Sequence, residues 1–272
     1  MKTLVIGATG YIGSRAAAAL AAAGHDIAAL RRPGGRPIPT GYGTVAGDLL
    51  DPPSLTAAAS GFDLVVHAAA PLGDADLPGA GALIASGSPL LYTTGAAVLG
   101  SGQSDEDTPP DPHPLAAARP EIERRVLAAG GRVIRPGMVY GTPDAPIPAL
   151  LAAKATERGR GVYIGPRGVR WPVVHGDDLA ALYVAVAERA PAGTIWHGIS
   201  ETARLDEVAA TIGGGAAASW PLEEATKELG PLADLFTRSQ DVSSAKTQAR
   251  LGWHPRHTSI VATLTHLAGR TA

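Results

Sequence analysis

The chain has 272 residues, of which 45% are hydrophobic and 18% charged, and its formal net charge is -2 at pH 7. This composition predicts a globular protein with a sizeable core and gives no electrostatic reason to expect a nucleic acid or an anionic membrane as partner. The absence of cysteine excludes disulfides, thiolate metal sites and thiol nucleophiles. No apolar run reaches transmembrane length and no ligand spacing suggests a metal site, so we expect a cytoplasmic protein without a metal.

The first half of the chain alternates short apolar runs with helical patterns. A glycine-rich turn and an Ala/Leu helix that ends at Gly24 follow the first run, a helix begins after Asp51, and an amphipathic helix is predicted over 113–126. Strands that alternate with helices indicate an α/β protein with a doubly wound parallel sheet. The predicted strands occupy 3–6, 26–30, the start of 44–55, 63–71, 89–95 and 131–141.

After residue 141 the alternation becomes looser. Short strands are predicted near 162–165, 170–174 and 194–199, with a helix over 177–190 between the last two. From Leu205 onward, helical patches are broken by Gly and Pro. We therefore expect a core domain over 1–141 and a small C-terminal substrate lobe over 142–272, with segments near 171–198 returning to the main sheet.

Three glycines, Gly7, Gly10 and Gly13, lie between the first predicted strand and the first helix. In this spacing the first glycine permits a tight turn, the second lets the backbone approach a pyrophosphate, and the third lets the helix pack on the strand. The N–H groups and the dipole at the helix start attract the anion. The strand, the glycines, the helix and the next strand follow in the order of a Rossmann dinucleotide-binding unit.

The end of the second strand bears on the choice of cofactor. A site for NAD carries a carboxylate there to bind the ribose hydroxyls, whereas this chain has Arg31 and Arg32. Two guanidinium groups suit a 2′-phosphate. The sequence therefore predicts a preference for NADP(H), with NAD(H) as the other option.

Six segments, in order, resemble the short-chain dehydrogenase/reductase superfamily, in its extended or atypical branch, the NAD-dependent epimerase/dehydratase group. The segments are GATGYIG, GDLLDPPSL, VVHAAAP, YTTGAAVLG, RPGMVYG and WPVVHGDDLA, which span about residues 3 to 185. The resemblance implies a nicotinamide cofactor, a small-molecule substrate and, as one option, a homodimer. Beyond the three glycines and two arginines, it implies cofactor contacts at Thr9, Tyr11, Ile12, Asp48, Leu49, Ala68, Ala69, Thr93, Arg119, Pro136, Gly137 and Val139.

The same resemblance shows a departure in the acid–base half of the site. The family carries Tyr-x-x-x-Lys on a helix, commonly followed four residues later by Glu. Matching that Glu to Glu123 puts Arg119 at the lysine position and Leu115 at the tyrosine position. Leucine has no proton to donate, whereas arginine stays charged and can still hold the ribose. Thr94 is the candidate for the family's hydroxyl on the fifth strand.

The sequence thus predicts an NADP(H)-dependent oxidoreductase with a non-standard active site, acting as a reductase of a carbonyl, conjugated enone or imine in a small organic substrate. Thr94, Tyr140, His113 or a water is a candidate proton source, with Arg119 as the fourth candidate catalytic residue. An iminium substrate needs hydride alone, and an enolate can be protonated later by solvent. The alternatives are a redox-neutral isomerase, dehydratase or cyclase and a non-enzymatic NADP-binding redox sensor.

Overall fold

The structure is a computed structural model that describes residues 1–69 and 76–271. Ala70 and Pro71, the end of the predicted fourth strand, lie outside the described residues. The strands are β1 (Lys2–Ile6), β2 (Asp26–Arg31), β3 (Gly43–Ala46), β4 (Leu64–His67), β5 (Leu90–Thr93), β6 (Gly102–Ser104), β7 (Arg132–Pro136), β8 (Met138–Tyr140), β9 (Gly161–Ile164), β10 (Arg170–His175), β11 (Thr194–Gly198), β12 (Glu201–Arg204), β13 (Ala217–Trp220) and β14 (Gln240–Val242). The helices are α1 (Tyr11–Ala22), α2 (Pro52–Ala59), α3 (Asp76–Ala85), α4 (Arg119–Ala128), α5 (Pro146–Arg158), α6 (Gly176–Arg189), α7 (Leu205–Ile212), α8 (Leu222–Leu229), α9 (Leu232–Leu235), α10 (Ala245–Leu251) and α11 (Ile260–Thr271).

The main sheet has seven parallel strands in the order β11, β7, β5, β4, β1, β2, β3. Leu4 at its centre lies opposite Ala28 of β2 and Val65 of β4. The chain builds outward from β1 to β3 and then crosses to the other side at β4, so the strand order reverses between β1 and β4. In such sheets ligands bind in the crevice outside the carboxyl ends of the strands at this reversal.

Helices cover both faces of this sheet, which explains why its strands are nearly continuous apolar runs. The small alanine side chains of α1 allow it to pack closely against α6 on one face, while α2, α3 and α4 cover the other. The α/β doubly wound prediction is confirmed. The buried side chains between these layers include Ala16, Ala17, Leu20, Leu179 and Leu182 on the first face and Leu55, Leu83, Ile122 and Val126 on the second.

A second core occupies the C-terminal half. It is built around a three-stranded sheet in the order β12, β10, β8 and a parallel pair of β13 with β9. Trp171 of β10 stacks on Phe236 with ring centroids 4.6 Å apart, and Trp220 and Ile260 are buried in the same cluster. Among the described residues, no helix is both long and apolar enough to cross a membrane.

The single strand predicted over 131–141 is two strands, β7 and β8, separated by Gly137. A Cβ on Gly137 would lie 2.4 Å from the Pro172 oxygen, so only glycine allows the chain to leave the main sheet here and approach β10. Of the segment 171–198, α6 packs on α1 and β11 pairs with β7 in the main sheet. β10 instead pairs with β8 and β12, which corrects our expectation for its residues.

The amphipathic helix predicted over 113–126 is shorter than expected. Residues Pro114–Ala116 form a 3-10 turn, and α4 begins at Arg119. Pro120 favours the first turn of a helix because its missing N–H is not needed there. Leu115 therefore lies before the helix and is 42% exposed.

Candidate active site

The glycine-rich turn connects the carboxyl end of β1 to α1. Gly7 has a φ of 87°, a region that favours glycine. A Cβ on Gly7 would lie 2.7 Å from the Ala69 nitrogen, and one on Gly13 would lie 2.1 Å from the Gly7 oxygen. No side chain caps the start of α1 at Gly10. Bare backbone and an uncapped helix start together form a cradle that fits a phosphate group.

One cavity opens on the β2 side of this turn, and we call it the arginine-lined cavity. Arg31 and Arg32 line it, and so does Arg36, which the sequence analysis missed although it lies five residues after Arg31. All three side chains are exposed, and Arg36 Nη1 lies 3.4 Å from the Thr9 oxygen. The cavity has a volume of about 990 Å³. Its other walls include Gly7, Thr9, Asp48, Leu49 and Ala69.

A second cavity of about 860 Å³ lies on the opposite side of the turn, between the two cores, and we call it the apolar cavity. Its walls combine the start of α1, the ends of β5 and β7, and side chains of the second core. No sequence signal marks the cavity residues that come from the second core, such as Ile147 and Leu235. The lining residues are Tyr11, Ile12, Thr94, Gly95, Ala96, Ala97, Pro136, Gly137, Met138, Val139, Pro146, Ile147, Trp171, Pro172, Leu235 and Gln240.

Thr94 lies in the wall of the apolar cavity, but its hydroxyl is directed into the protein. It donates to Glu123 Oε1 at 2.6 Å. Glu123 in turn forms a two-point ion pair with Arg135, with distances of 3.0 Å to Nε and 2.6 Å to Nη2, and both side chains are buried. The ion pair orients the Glu123 carboxyl group so that it accepts a hydrogen bond from Thr94. This hydrogen bond uses the only proton of the Thr94 hydroxyl.

Arg119 does not line either cavity. Its Nε lies 3.7 Å from Asp76 Oδ2, and the Tyr92 hydroxyl donates to Asp76 Oδ1 at 2.5 Å. Burial and the Asp76 carboxylate raise the pKa of Tyr92. His67 stacks on Tyr92, and burial, reinforced by the Arg119 charge, lowers its pKa to about 4. His67 is thus a neutral core histidine.

The other two candidate proton donors lie outside the walls of both cavities. The Tyr140 hydroxyl donates to the His257 oxygen at 3.1 Å, and burial raises the pKa of Tyr140. His113 is buried, with Nε2 3.1 Å from Asp234 Oδ2. Both side chains hold the second core and its loops together. Neither one reaches the apolar cavity, so neither is placed to protonate a molecule there.

The remaining predicted cofactor contacts fall into two groups, those that line a cavity and those that do not. Ala68 donates from its backbone nitrogen to the Ile6 oxygen at 2.9 Å, which holds the end of β4 beside the turn. Thr93 is buried, and its hydroxyl lies 2.5 Å from the hydroxyl of Tyr183. Thr93 therefore fastens β5 to α6 and does not line either cavity. Ile12, Pro136, Gly137 and Val139 line the apolar cavity.

Tyr11 was expected as a cofactor contact, and its side chain belongs to a polar cluster at the edge of the apolar cavity. The Arg15 guanidinium lies over its ring, 3.8 Å from the centroid. Thr142 Oγ1 lies 3.1 Å from the Tyr11 hydroxyl, 2.9 Å from Arg15 Nη2 and 2.6 Å from Asp144 Oδ1. Thr142 lies 131 positions from Tyr11, so no local pattern in the sequence indicates this cluster.

Comparison with known proteins gives a consistent result. The model of the NAD-dependent epimerase/dehydratase family matches residues 3–77. An uncharacterised protein of Schizosaccharomyces pombe is 31% identical over 97% of this chain and 98% of its own length. A 3-diazoavenalumate denitrifying reductase from a Streptomyces species is 29% identical, covering 95% of this chain and 97% of that protein. The structure of Thermus thermophilus UDP-glucose 4-epimerase in complex with NAD superposes with a TM-score of 0.80, at 22% identity over 99% of each chain.

The chain therefore belongs to the NAD-dependent epimerase/dehydratase family, as the six motifs implied. The likeness to the epimerase shows that the two proteins share a fold. It also agrees with the position of the glycine-rich turn at the reversal of strand order.

Proposed function

We propose that this protein is an NADPH-dependent reductase of small apolar molecules. The observation that carries this proposal is the placement of two cavities on opposite sides of one glycine-rich turn. The arginine-lined cavity begins at Gly7 and Thr9, and the apolar cavity begins at Tyr11 and Ile12. A dinucleotide whose pyrophosphate lies at the start of α1 has room for its adenosine half on one side and its nicotinamide half on the other.

The preference for NADPH over NADH rests on the three arginines of the arginine-lined cavity. Arg31, Arg32 and Arg36 bring three positive charges to one wall, and Asp48 is the one carboxylate among the described residues that line it. A 2′-phosphate would form charge-assisted hydrogen bonds with guanidinium groups that a free ribose hydroxyl would not need. When bound, NADPH supplies a hydride to the acceptor.

The walls of the apolar cavity support the proposed class of substrate. Among its described lining residues none carries a charge at neutral pH, and Met138, Ile147, Trp171 and Leu235 give it apolar surface. Such a wall favours an uncharged organic molecule and gives no anchor for a phosphate. The carbonyl, enone and imine classes fit this cavity, and the name of the Streptomyces relative favours a reductase over the redox-neutral activities of the family.

The first test is a fluorescence titration of the purified protein with NADPH and with NADH. We expect tighter binding of NADPH, and we expect Arg31→Ala/Arg32→Ala to weaken NADPH binding by about 10²- to 10⁴-fold, since two hydrogen bonds to a charged group are lost and each is worth about 1.5–3 kcal/mol. NADH binding should not change. Arg250→Ala, an exposed arginine on α10, is the matched control.

A screen of aryl ketones, enones and cyclic imines then follows NADPH oxidation by absorbance. Failure to bind either nucleotide would overturn the proposal. Product formation with no net oxidation of NADPH would assign the protein to a redox-neutral reaction of its family. A double variant that binds NADPH as tightly as the wild type would leave a reductase without the proposed cofactor preference.

A further inference from the structure

The apolar cavity contains one titratable side chain among its described lining residues, that of Tyr11. Thr94 is the other hydroxyl in the wall, but its proton is donated to Glu123 at 2.6 Å. Tyr140 and His113 lie outside the wall. We infer that Tyr11, in the glycine-rich turn, is the proton donor of the reduction and takes the role for which Leu115 has no suitable group. This inference rests on the proposed function.

The surroundings of Tyr11 suit the charge that develops when it gives up its proton. The Arg15 guanidinium lies 3.8 Å from the centroid of the phenol ring, so a positive charge faces the ring that would become a phenolate. Arg15 is fixed in this position because Nη1 donates to the backbone carbonyl oxygen of Tyr11 at 2.9 Å and Nη2 donates to Thr142 Oγ1 at 2.9 Å. It also packs on Gly176, where a Cβ would lie 2.9 Å from Arg15 Cδ.

A route for the proton leads from Tyr11 to solvent. The Tyr11 hydroxyl lies 3.1 Å from Thr142 Oγ1, which lies 2.6 Å from the carboxylate of Asp144. Tyr11 and Thr142 are half-buried and Asp144 is exposed. Thr142 Oγ1 is within donating distance of both the Tyr11 hydroxyl and Asp144 Oδ1, and when it donates to Tyr11 the phenolic proton of Tyr11 is free for a molecule in the cavity. This chain connects the buried side of the cavity to water.

The reduction of a ketone then balances as follows. The carbonyl π bond breaks, the carbon gains a C–H bond from the hydride of NADPH, which is oxidised to NADP⁺, and the oxygen gains the phenolic proton of Tyr11. The Tyr11 phenolate is reprotonated from water through Thr142. Reduction of an iminium needs only the hydride, because the nitrogen begins with a positive charge and ends neutral, and so it does not use Tyr11.

The test compares Tyr11→Phe with wild type on two probes, acetophenone as the neutral acceptor and N-methyl-3,4-dihydroisoquinolinium as the cationic one. Phenylalanine keeps the ring under Arg15 and removes only the hydroxyl. We expect kcat with acetophenone to fall by about 10²–10⁴-fold, the usual contribution of a general acid. Iminium reduction and the Kd for NADPH should remain at wild-type values. Tyr163→Phe, a half-buried tyrosine of β9 outside the cavity, is the matched control.

A second measurement is independent of turnover. The infrared C=O stretch of ¹³C-labelled acetophenone, bound together with NADP⁺, should shift to lower frequency in the wild type and in Tyr163→Phe, and should not shift in Tyr11→Phe. An equal loss with both probes would make Tyr11 a structural residue and overturn the inference. So would an unchanged kcat with acetophenone or an unchanged carbonyl shift. A wild type that does not bind NADPH would instead overturn the proposed function itself.

Discussion

Glu123 and Arg135 form the buried ion pair that determines what Thr94 can do. Both side chains are almost wholly inaccessible, at 3% and 2% exposure. Two charges leave water to form this pair, so each depends on the other for compensation. Glu123 served as the landmark for matching the family's helix, and its partners show that its role here is structural. It anchors the ends of β5 and β7 beside the apolar cavity.

Replacing Glu123 by Gln should destabilise the fold by about 3–5 kcal/mol, because Arg135 is left with an uncompensated buried charge. Urea unfolding of wild type and variant measures the difference. Glu121→Gln, on the exposed face of the same helix, is the matched control and should change little, since its partners Arg124 and Arg125 are solvated. A Glu123→Gln protein as stable as the control would contradict this account of the pair.

The contacts of individual side chains were the part of the site that the sequence predicted least well. Arg31 and Arg32 line one cavity wall because they follow a strand whose end is fixed by local pattern, and their contact with a cofactor stays a prediction. Tyr140 and His113 were chosen because their side chains suit proton transfer, yet their hydrogen bonds go to residues 117 and 121 positions away. Tyr11 was expected as a cofactor contact from the family resemblance, and its contact with Thr142, 131 positions away, could not be predicted from local pattern. Local pattern predicts the backbone position of a residue, whereas tertiary packing determines what its side chain contacts.

At the level of elements, the turn between β1 and α1 was predicted fully and the helix over 113–126 was not. The turn depends on three glycines whose need is steric and local. The helix predicted over 113–126 depended on apolar spacing, which a 3-10 turn and a loop can satisfy equally well over a few residues. Pro114 and Pro120 were the signals for the later start at Arg119.

Gly13→Ala should abolish NADPH binding, because the new Cβ would lie 2.1 Å from the Gly7 oxygen and force the turn apart. The fluorescence titration measures this directly. Gly81→Ala, in the middle of α3 with no atom within 4 Å of the new Cβ, is the control. That substitution should leave binding intact and stabilise the protein by about 0.5–1 kcal/mol, since alanine loses less backbone entropy in a helix. Wild-type affinity in Gly13→Ala would show that the turn is not the phosphate cradle.

On the scale of the whole molecule, the chain forms two hydrophobic cores and passes from one to the other. The alternation of strands and helices predicted the main sheet because each unit of it is local in sequence. The second core was predicted only as a small lobe, since its sheet joins β8, β10 and β12 from three separate regions. The departure of β8 at Gly137 opens the space between the cores, and the apolar cavity is the result.

The whole fold should lose stability as the pH falls from about 6.5, because burial lowers the pKa of His25, His67, His175 and His197 in the folded state. Between the unfolded and folded pKa values the unfolded chain binds the proton and the native chain does not, so acid favours unfolding. His67, with a folded pKa of about 4, contributes about 3 kcal/mol of this loss between pH 6.5 and 4. The contribution of these histidines to the free energy of unfolding is fully present above pH 6.5.

Urea unfolding at several pH values checks this expectation in the wild type and in His67→Phe, which retains a ring to stack on Tyr92. The variant should show a shallower decline between pH 6.5 and 4, and the two curves should run parallel above that range. Identical slopes in both proteins would mean that His67 takes up its proton as readily in the folded chain as in the unfolded one.

The composition of the apolar wall also affects how the protein withstands the reactive molecules among its proposed substrates. Conjugated enones and iminium ions are alkylating agents that attach to thiols, amines and imidazoles. Among the described residues that line the apolar cavity there is no lysine or histidine, and the whole chain lacks cysteine. A reactive acceptor held there meets no thiol, amine or imidazole that would trap it covalently. The same surface that attracts such molecules thus limits inactivation of the protein by them.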